Sequence, residues 1–229
     1  MKTIGLIGGT SWESTVIYYN LINRDVQRRL GGFHSAKIVL YSVDFAEFEI
    51  LARTAQWDAL ALRLSEAAKA VERAGADMVL LCANTMHHDA ARIAQSVNIP
   101  LLHICDCTAA RIKARGLRRV SLLGTAYTMN EDFYKDRLAA NGLDAFVPNA
   151  ADRAVINRVI FEELVLGKIE PASRQAYREI IARQVAEGAQ GVILGCTELP
   201  MLVKPEDSAV PLFDTTEIHA LAAVDAALA

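Results

Sequence analysis

No apolar run in this sequence approaches the roughly 18 residues that a membrane-spanning helix needs. There is also no block of like charge, since 24 basic and 27 acidic residues are dispersed to a net charge of −3. The tightest basic group is Lys113, Arg115, Arg118 and Arg119. It flanks Gly116 at a predicted helix end, where cations suit the helix dipole. The basic stripe of a nucleic-acid binder is missing. Cysteine is scarce: Cys82, Cys105, Cys107 and Cys196 are irregularly spaced in 229 residues. They form no disulfide framework and read as free thiols. Cys105-Asp106-Cys107 lacks a second His or Cys pair at metal spacing, which favours a structural reading. No G-x-x-x-x-G-K-[ST] occurs, and Gly8-Gly9-Thr10 is not G-x-G-x-x-G, so the nucleotide signal is weak. The apolar stretch at the N-terminus is too short for a secretory signal. It reads as a first strand, and the expectation is a cytoplasmic protein.

What is present is a globular composition, 52% hydrophobic and 22% charged, in a chain long enough for one large domain or two small ones. Short apolar runs alternate with longer amphipathic stretches. Predicted strands cover 3–7, 36–41, 78–82, 101–104, 120–123, 145–147, 192–194 and 210–213. Predicted helices cover 14–30, 57–74, 86–96, 108–114, 129–140, 152–166, 171–187 and 215–228. Most helical patterns stop at a glycine, the residue that most easily takes the left-handed cap. The alternation predicts an α/β fold with mostly parallel sheets covered by helices, whose ligands sit at the carboxyl ends of the strands.

Those strand ends carry an internal repeat. Ile4-Gly5-Leu6-Ile7-Gly8-Gly9-Thr10 matches Val120-Ser121-Leu122-Leu123-Gly124-Thr125-Ala126. Later in each half, Val79-Leu80-Leu81-Cys82-Ala83-Asn84-Thr85 matches Val192-Ile193-Leu194-Gly195-Cys196-Thr197-Glu198. Ala83 is then the partner of Cys196. Cys82 lies one residue out of register, and a one-residue shift on a strand reverses the side chain.

Cys196, after an apolar strand, is expected among free backbone N–H groups that favour a thiolate, or else it is a small buried space-filler. Asn84-Thr85 offers amide and hydroxyl donors for a carboxylate, or simply caps a helix. Gly8-Gly9-Thr10 allows close approach of an anion. His87 and His88 are adjacent and cannot share one metal; one is expected at a cleft rim and one in water. Trp12, Tyr18 and Tyr19 read as core or cleft-wall aromatics.

Together these residues resemble the aspartate/glutamate racemase family, and more closely its broad-specificity amino-acid racemase branch. The likeness runs nearly end to end. It is carried by Gly8-Gly9-Thr10-Ser11-Trp12-Glu13-Ser14-Thr15, Tyr18-Tyr19, Ser42-Val43-Asp44-Phe45, Asn84-Thr85-Met86-His87, Gly124-Thr125-Ala126-Tyr127-Thr128-Met129 and Gly195-Cys196-Thr197-Glu198. The resemblance implies two pseudo-symmetric three-layer α/β lobes with an active-site cleft between them. Residues 1–98 with 214–229 would form the first lobe and 99–213 the second. It also implies a homodimer acting on a small amino acid without pyridoxal phosphate, other cofactor or metal.

One thiolate would remove the α-proton and an opposed thiol would return it. Cys196 would be one acid/base group. Asn84, Thr85 and Thr197 would bind the α-carboxylate, with Thr10 and Thr125 nearby, and Lys168 would lie near the distal group. The pattern is broken at Ala83, which stands where the family's first cysteine precedes the Asn-Thr pair. Three readings follow. A water, His87 or another group supplies the second proton; the chain is a one-base decarboxylase of malonate-like acids; or it is an amino-acid-binding pseudo-enzyme.

Overall fold

The computed structural model describes residues 1–229. In chain order its strands are β1 (Ile4–Gly8), β2 (Ile38–Ser42), β3 (Met78–Leu81), β4 (Arg119–Gly124), β5 (Asp144–Phe146), β6 (Val192–Gly195) and β7 (Leu212–Asp214). The helices are α1 (Trp12–Leu30), α2 (Phe45–Arg53), α3 (Trp57–Arg73), α4 (Ala90–Gln95), α5 (Ile104–Lys113), α6 (Ala126–Asn130), α7 (Asp132–Ala140), α8 (Ala150–Glu162), α9 (Pro171–Ala186), α10 (Leu199–Leu202) and α11 (Thr215–Leu228). They divide into two compact units, Met1–Ile104 with Thr216–Ala229, and Cys105–Thr215.

The first unit is a parallel sheet in the order β2-β1-β3. β1 and β3 are buried along their whole length, as continuous apolar runs covered on both faces require. On one face Ile4, Leu6, Met78, Leu80 and Cys82 pack with Tyr18, Ile22 and Val26 of α1 and Ala220, Ala223 and Val224 of α11. On the other face a Cβ on Gly5 would lie 3.1 Å from Val71 Cγ2 of α3. Each Leu or Ile buried in such a core is worth about 1.5–3 kcal/mol.

The second unit is a parallel sheet in the order β5-β4-β6-β7. Leu123, Val192, Leu194 and Cys196 pack with Ile156, Val159 and Ile160 of α8 and Tyr177, Ile180 and Ile181 of α9. Side-chain caps start three of the predicted or newly found helices. Asp44 accepts from Ala46 N, Thr125 from Thr128 N and Asn149 from Asp152 N.

Several expectations change. The strand predicted at 101–104 shrinks to a single bridge between Leu101 and Val79, because Ile104 already opens α5. That bridge draws residues up to 104 into the first unit, beyond the boundary drawn at 98. The helix predicted at 86–96 splits into a short 3-10 turn, Thr85–His87, and α4. The helix predicted at 129–140 breaks at Glu131, which is extended (ψ 157). Helix α2, absent from the prediction, is held by buried Phe48 and Ala52, four residues apart on one side.

Candidate active site

A buried thiol and a carboxylate meet in the turn after β6. Gly124 and Gly195 are partners in the β4–β6 ladder. A Cβ on Gly124 would meet Gly195 O at 2.9 Å, and one on Gly195 would meet Leu122 Cδ1 at 2.9 Å. Only glycine lets these strand ends close up. The chain then turns, placing Cys196, Thr197 and Glu198 in the interior, Cys196 being 8% exposed. Cys196 Sγ donates to Glu198 Oε2 at 2.9 Å, and Thr197 Oγ1 donates to the same oxygen at 2.7 Å.

This corrects the expectation of a ready thiolate. Backbone N–H groups of Thr197 and Glu198 do pull the Cys196 pKa down, but burial and the Glu198 carboxylate push it well above its ordinary value. The resting group is a protonated thiol hydrogen-bonded to the Glu198 side chain. Glu198 is the residue that sequence reasoning passed over. Its signal was present as Cys-x-Glu in a post-strand turn, but nothing in the spacing said that the two side chains meet.

The equivalent turn of the first unit follows β3. Ladder register pairs Ile7 with Leu81, as it pairs Leu123 with Leu194. Cys82 is therefore equivalent to Gly195 and Ala83 to Cys196. Cys82 is 1% exposed, and its side chain lies in the core under α1 and α11. Desolvation alone drives its thiol far above the usual range. Ala83 is partly exposed, as is Thr85, while Asn84 is buried. The side chain of Asn84 makes no capping hydrogen bond to the 3-10 turn, so the simple helix-cap reading fails.

His87 is not an acid/base group here. Its Nδ1–H donates to Ala83 O at 2.9 Å, so Nε2 is the acceptor for Ile104 N–H at 3.3 Å. Burial, with His103 and His219 nearby, holds its pKa well below the ordinary value. His219 is fixed in the same way: Tyr18 OH donates to Nδ1 at 2.9 Å, and Nε2 donates to Leu102 O at 2.9 Å. Its pKa falls to about 4 because it is buried. Neither His87 nor His88 lies free in water as one of the pair was expected to: His87 is buried, and half-buried His88 stacks on Trp57 with ring centres 4.1 Å apart.

Other expected residues fall as follows. Gly9 N–H is taken by Thr15 Oγ1 at 2.8 Å, and a Cβ on Gly9 (φ +91) would strike Val43 O at 2.2 Å. The close approach that these glycines permit is to the chain itself rather than to an anion. Thr10 is buried. Thr125 is buried and caps α6. Lys168 is exposed beyond the left-handed Gly167, four residues after Leu164, which shares the hydrophobic cluster of Cys196. Trp12 and Tyr19 are exposed, whereas Tyr18 is core. Burial raises the Cys105 thiol far above its usual range and the Cys107 thiol to about 11, in keeping with structural roles.

The Asp/Glu/hydantoin racemase family profile matches residues 7–223. The chain belongs to this family of isomerases. Over 232 residues it is 23% identical to the broad specificity amino-acid racemase RacX of Bacillus subtilis, covering 99% of this chain and 98% of RacX. A solved structure from Yersinia pestis, named provisionally as an Asp/Glu racemase, is 51% identical with full coverage of both chains and a TM-score of 0.95. That of an aspartate racemase homologue from Pyrococcus horikoshii is 39% identical, again with full coverage of both chains, and has a TM-score of 0.87. In this chain the turn after β6 lies inside the matched residues and holds the buried thiol–carboxylate pair.

Proposed function

We propose that the chain exchanges the α-proton of a small, acidic or related amino acid by thiol chemistry at Cys196, without a cofactor. The observation that carries this reading is the buried 2.9 Å contact between Cys196 Sγ and Glu198 Oε2. Glu198 takes the thiol proton as substrate enters, the thiolate removes the α-proton, and the same pair returns a proton on the reverse step. Asn84 and Thr85 donate to the α-carboxylate, where charge develops as the α-carbon loses its proton. Thr197 orients Glu198, with its own proton committed to the carboxylate. Lys168 serves the substrate's distal group.

The second proton is the weak point, and Ala83 favours a second reading. A methyl group exchanges no proton, and both nitrogens of His87 are engaged. Exchange on one face only, as in a one-base enzyme, therefore stands beside full racemisation; a decarboxylase of malonate-like acids is the form it would take in another reaction class. Incubation with each enantiomer of aspartate, glutamate and neutral amino acids in deuterated water separates them. Deuterium with inversion supports racemisation, with a water completing the second face. Deuterium with retention supports one-sided exchange. Carbon dioxide from substituted malonates supports the lyase. Binding without any exchange rejects the thiol mechanism.

A further inference from the structure

Three histidines of the first unit lie together, and the proposed chemistry uses none of them. The ring of His87 is centred 4.7 Å from that of His103 and 5.8 Å from that of His219. His87 and His219 are buried. Burying an imidazole is costly unless both nitrogens are satisfied, so where those nitrogens are spent is informative.

They are spent in a directed series. Tyr18 of α1 donates to His219 Nδ1, and His219 of α11 donates from Nε2 to Leu102 O, each at 2.9 Å. Two residues on, Ile104 N–H donates to His87 Nε2 at 3.3 Å, and His87 Nδ1–H donates to Ala83 O at 2.9 Å. A backbone N–H only donates and a carbonyl only accepts. The neighbours therefore force the Nδ1–H form on His87 and the Nε2–H form on His219. Ile104 is the last residue before the chain leaves this unit. One imidazole ties its segment to α1 and α11, and another ties it to the turn after β3.

That turn is closed by a side chain. His87 N–H bonds Asn84 O at 3.1 Å, three residues back, as a 3-10 turn requires. The bond to the residue before, Ala83 O, is made by the ring. Ala83 O belongs to the peptide that joins Ala83 to Asn84. A peptide unit is planar, so holding its oxygen sets the direction in which Asn84 leaves the strand end. We propose that His87 is a positioning residue, which holds the Ala83–Asn84 peptide so that Asn84 and Thr85 meet the substrate carboxylate. This role rests on the α-proton exchange proposed above, in which those two residues bind the α-carboxylate. Donors to a developing charge work only when they are already in place.

Two variants separate the two bonds of the ring. His87→Asn keeps an N–H donor near the place of Nδ1 and leaves nothing at Nε2. His87→Gln keeps an acceptor near the place of Nε2 and loses the donor to Ala83 O. His87→Gln should lower kcat/KM for exchange in deuterated water by about 10- to 100-fold, the cost of a small misplacement. His87→Asn should restore most of that loss. Thermal midpoints should fall alike, because each variant loses one buried hydrogen bond. Activity that follows the midpoints equally in both variants would show a merely structural role and overturn the proposal. NMR of histidine labelled with heavy nitrogen reads the same hold without turnover. Wild-type His87 should carry its proton on Nδ1. The backbone amide signals of Asn84 and Thr85 should move in His87→Gln and stay near their wild-type positions in His87→Asn. A proton on Nε2 of wild-type His87, or equal movement in both variants, rejects the proposal. If the variants unfold, the wild-type tautomer decides. If the wild type exchanges no α-proton, the proposed function fails, and the amide signals alone decide whether His87 holds the turn.

Discussion

Ala83 and Cys196 stand on the same rung of two equivalent ladders, one residue beyond Cys82 and Gly195. The register that makes them equivalent is Ile7 with Leu81 and Leu123 with Leu194. It places the thiol of Cys82 among Met78, Leu80 and Tyr18, facing away from the position that Ala83 holds. A cysteine adjacent in sequence is thus remote in direction, because successive strand side chains point to opposite faces.

Ala83→Cys should therefore raise enantiomer interconversion by roughly 10²–10⁴-fold, the range of a positioned general acid or base. Cys82→Ala should leave the rate near wild type and cost about 1 kcal/mol of stability. Both are checked by interconversion rates and thermal midpoints of the purified variants. Loss of interconversion in Cys82→Ala with no gain in Ala83→Cys would show the register argument to be wrong.

The Cys196–Glu198 pair gives a pH signature. Cys196→Ser should keep the fold and abolish exchange, since a hydroxyl is a far weaker acid and base near neutrality. Glu198→Gln should slow exchange by about 10²–10⁴-fold. It should also let the thiol ionise at lower pH, because the carboxylate is one of the causes that raise its pKa. Thiolate absorbance against pH reads the second effect independently of turnover. An unchanged thiol titration in Glu198→Gln would detach the two residues.

Buried thiols also set an alkaline limit. The folded pKa values of Cys196, Cys82 and Cys105 lie above the ordinary value, and that of Cys107 is pushed to about 11. The unfolded chain therefore loses these protons first. Their contribution is complete below the unfolded thiol pKa and is lost as pH rises beyond it. Thermal midpoints should fall progressively above about pH 9, and Cys107→Ala should soften that fall.

At acid pH the histidines act in the opposite sense. His219, with a pKa of about 4, and His87, also depressed, are neutral in the fold. The unfolded chain takes up protons near 6.5, so stability is lost as pH falls from there towards about 4. For His219 this is on the order of 3 kcal/mol. Denaturant midpoints at pH 7 and 5 check it. His219→Gln should flatten the slope while lowering stability at pH 7, since Tyr18 and Leu102 lose part of their pairing.

Gly124→Ala and Gly195→Ala should each cost about 1–3 kcal/mol by overpacking, because a Cβ at either site would lie 2.9 Å from its neighbour. Gly116→Ala meets no neighbouring atom and should cost only the strain of a positive φ, about 1 kcal/mol. Urea midpoints of the three variants give the ranking.

Much of this protein was legible in its residues. Apolar runs of four to six residues between amphipathic stretches announced parallel strands under helices. The two post-strand turns were found by comparing the halves of the chain, and the displaced position of Cys82 followed from counting alone. These are local properties: periodicity and turn chemistry act within a few residues. Tertiary structure decided the rest. Which of Trp12, Tyr18 and Tyr19 is core depends on where α1 rests on β1. The Cys196 thiol is raised rather than lowered because packing by α8 and α9 removes water and the turn folds Glu198 back onto sulfur. His87 is spent on a backbone carbonyl because Ala83 and Ile104 converge on its ring. Burial and charge are sums over neighbours that lie far apart in the chain, and only the assembled fold sets those sums.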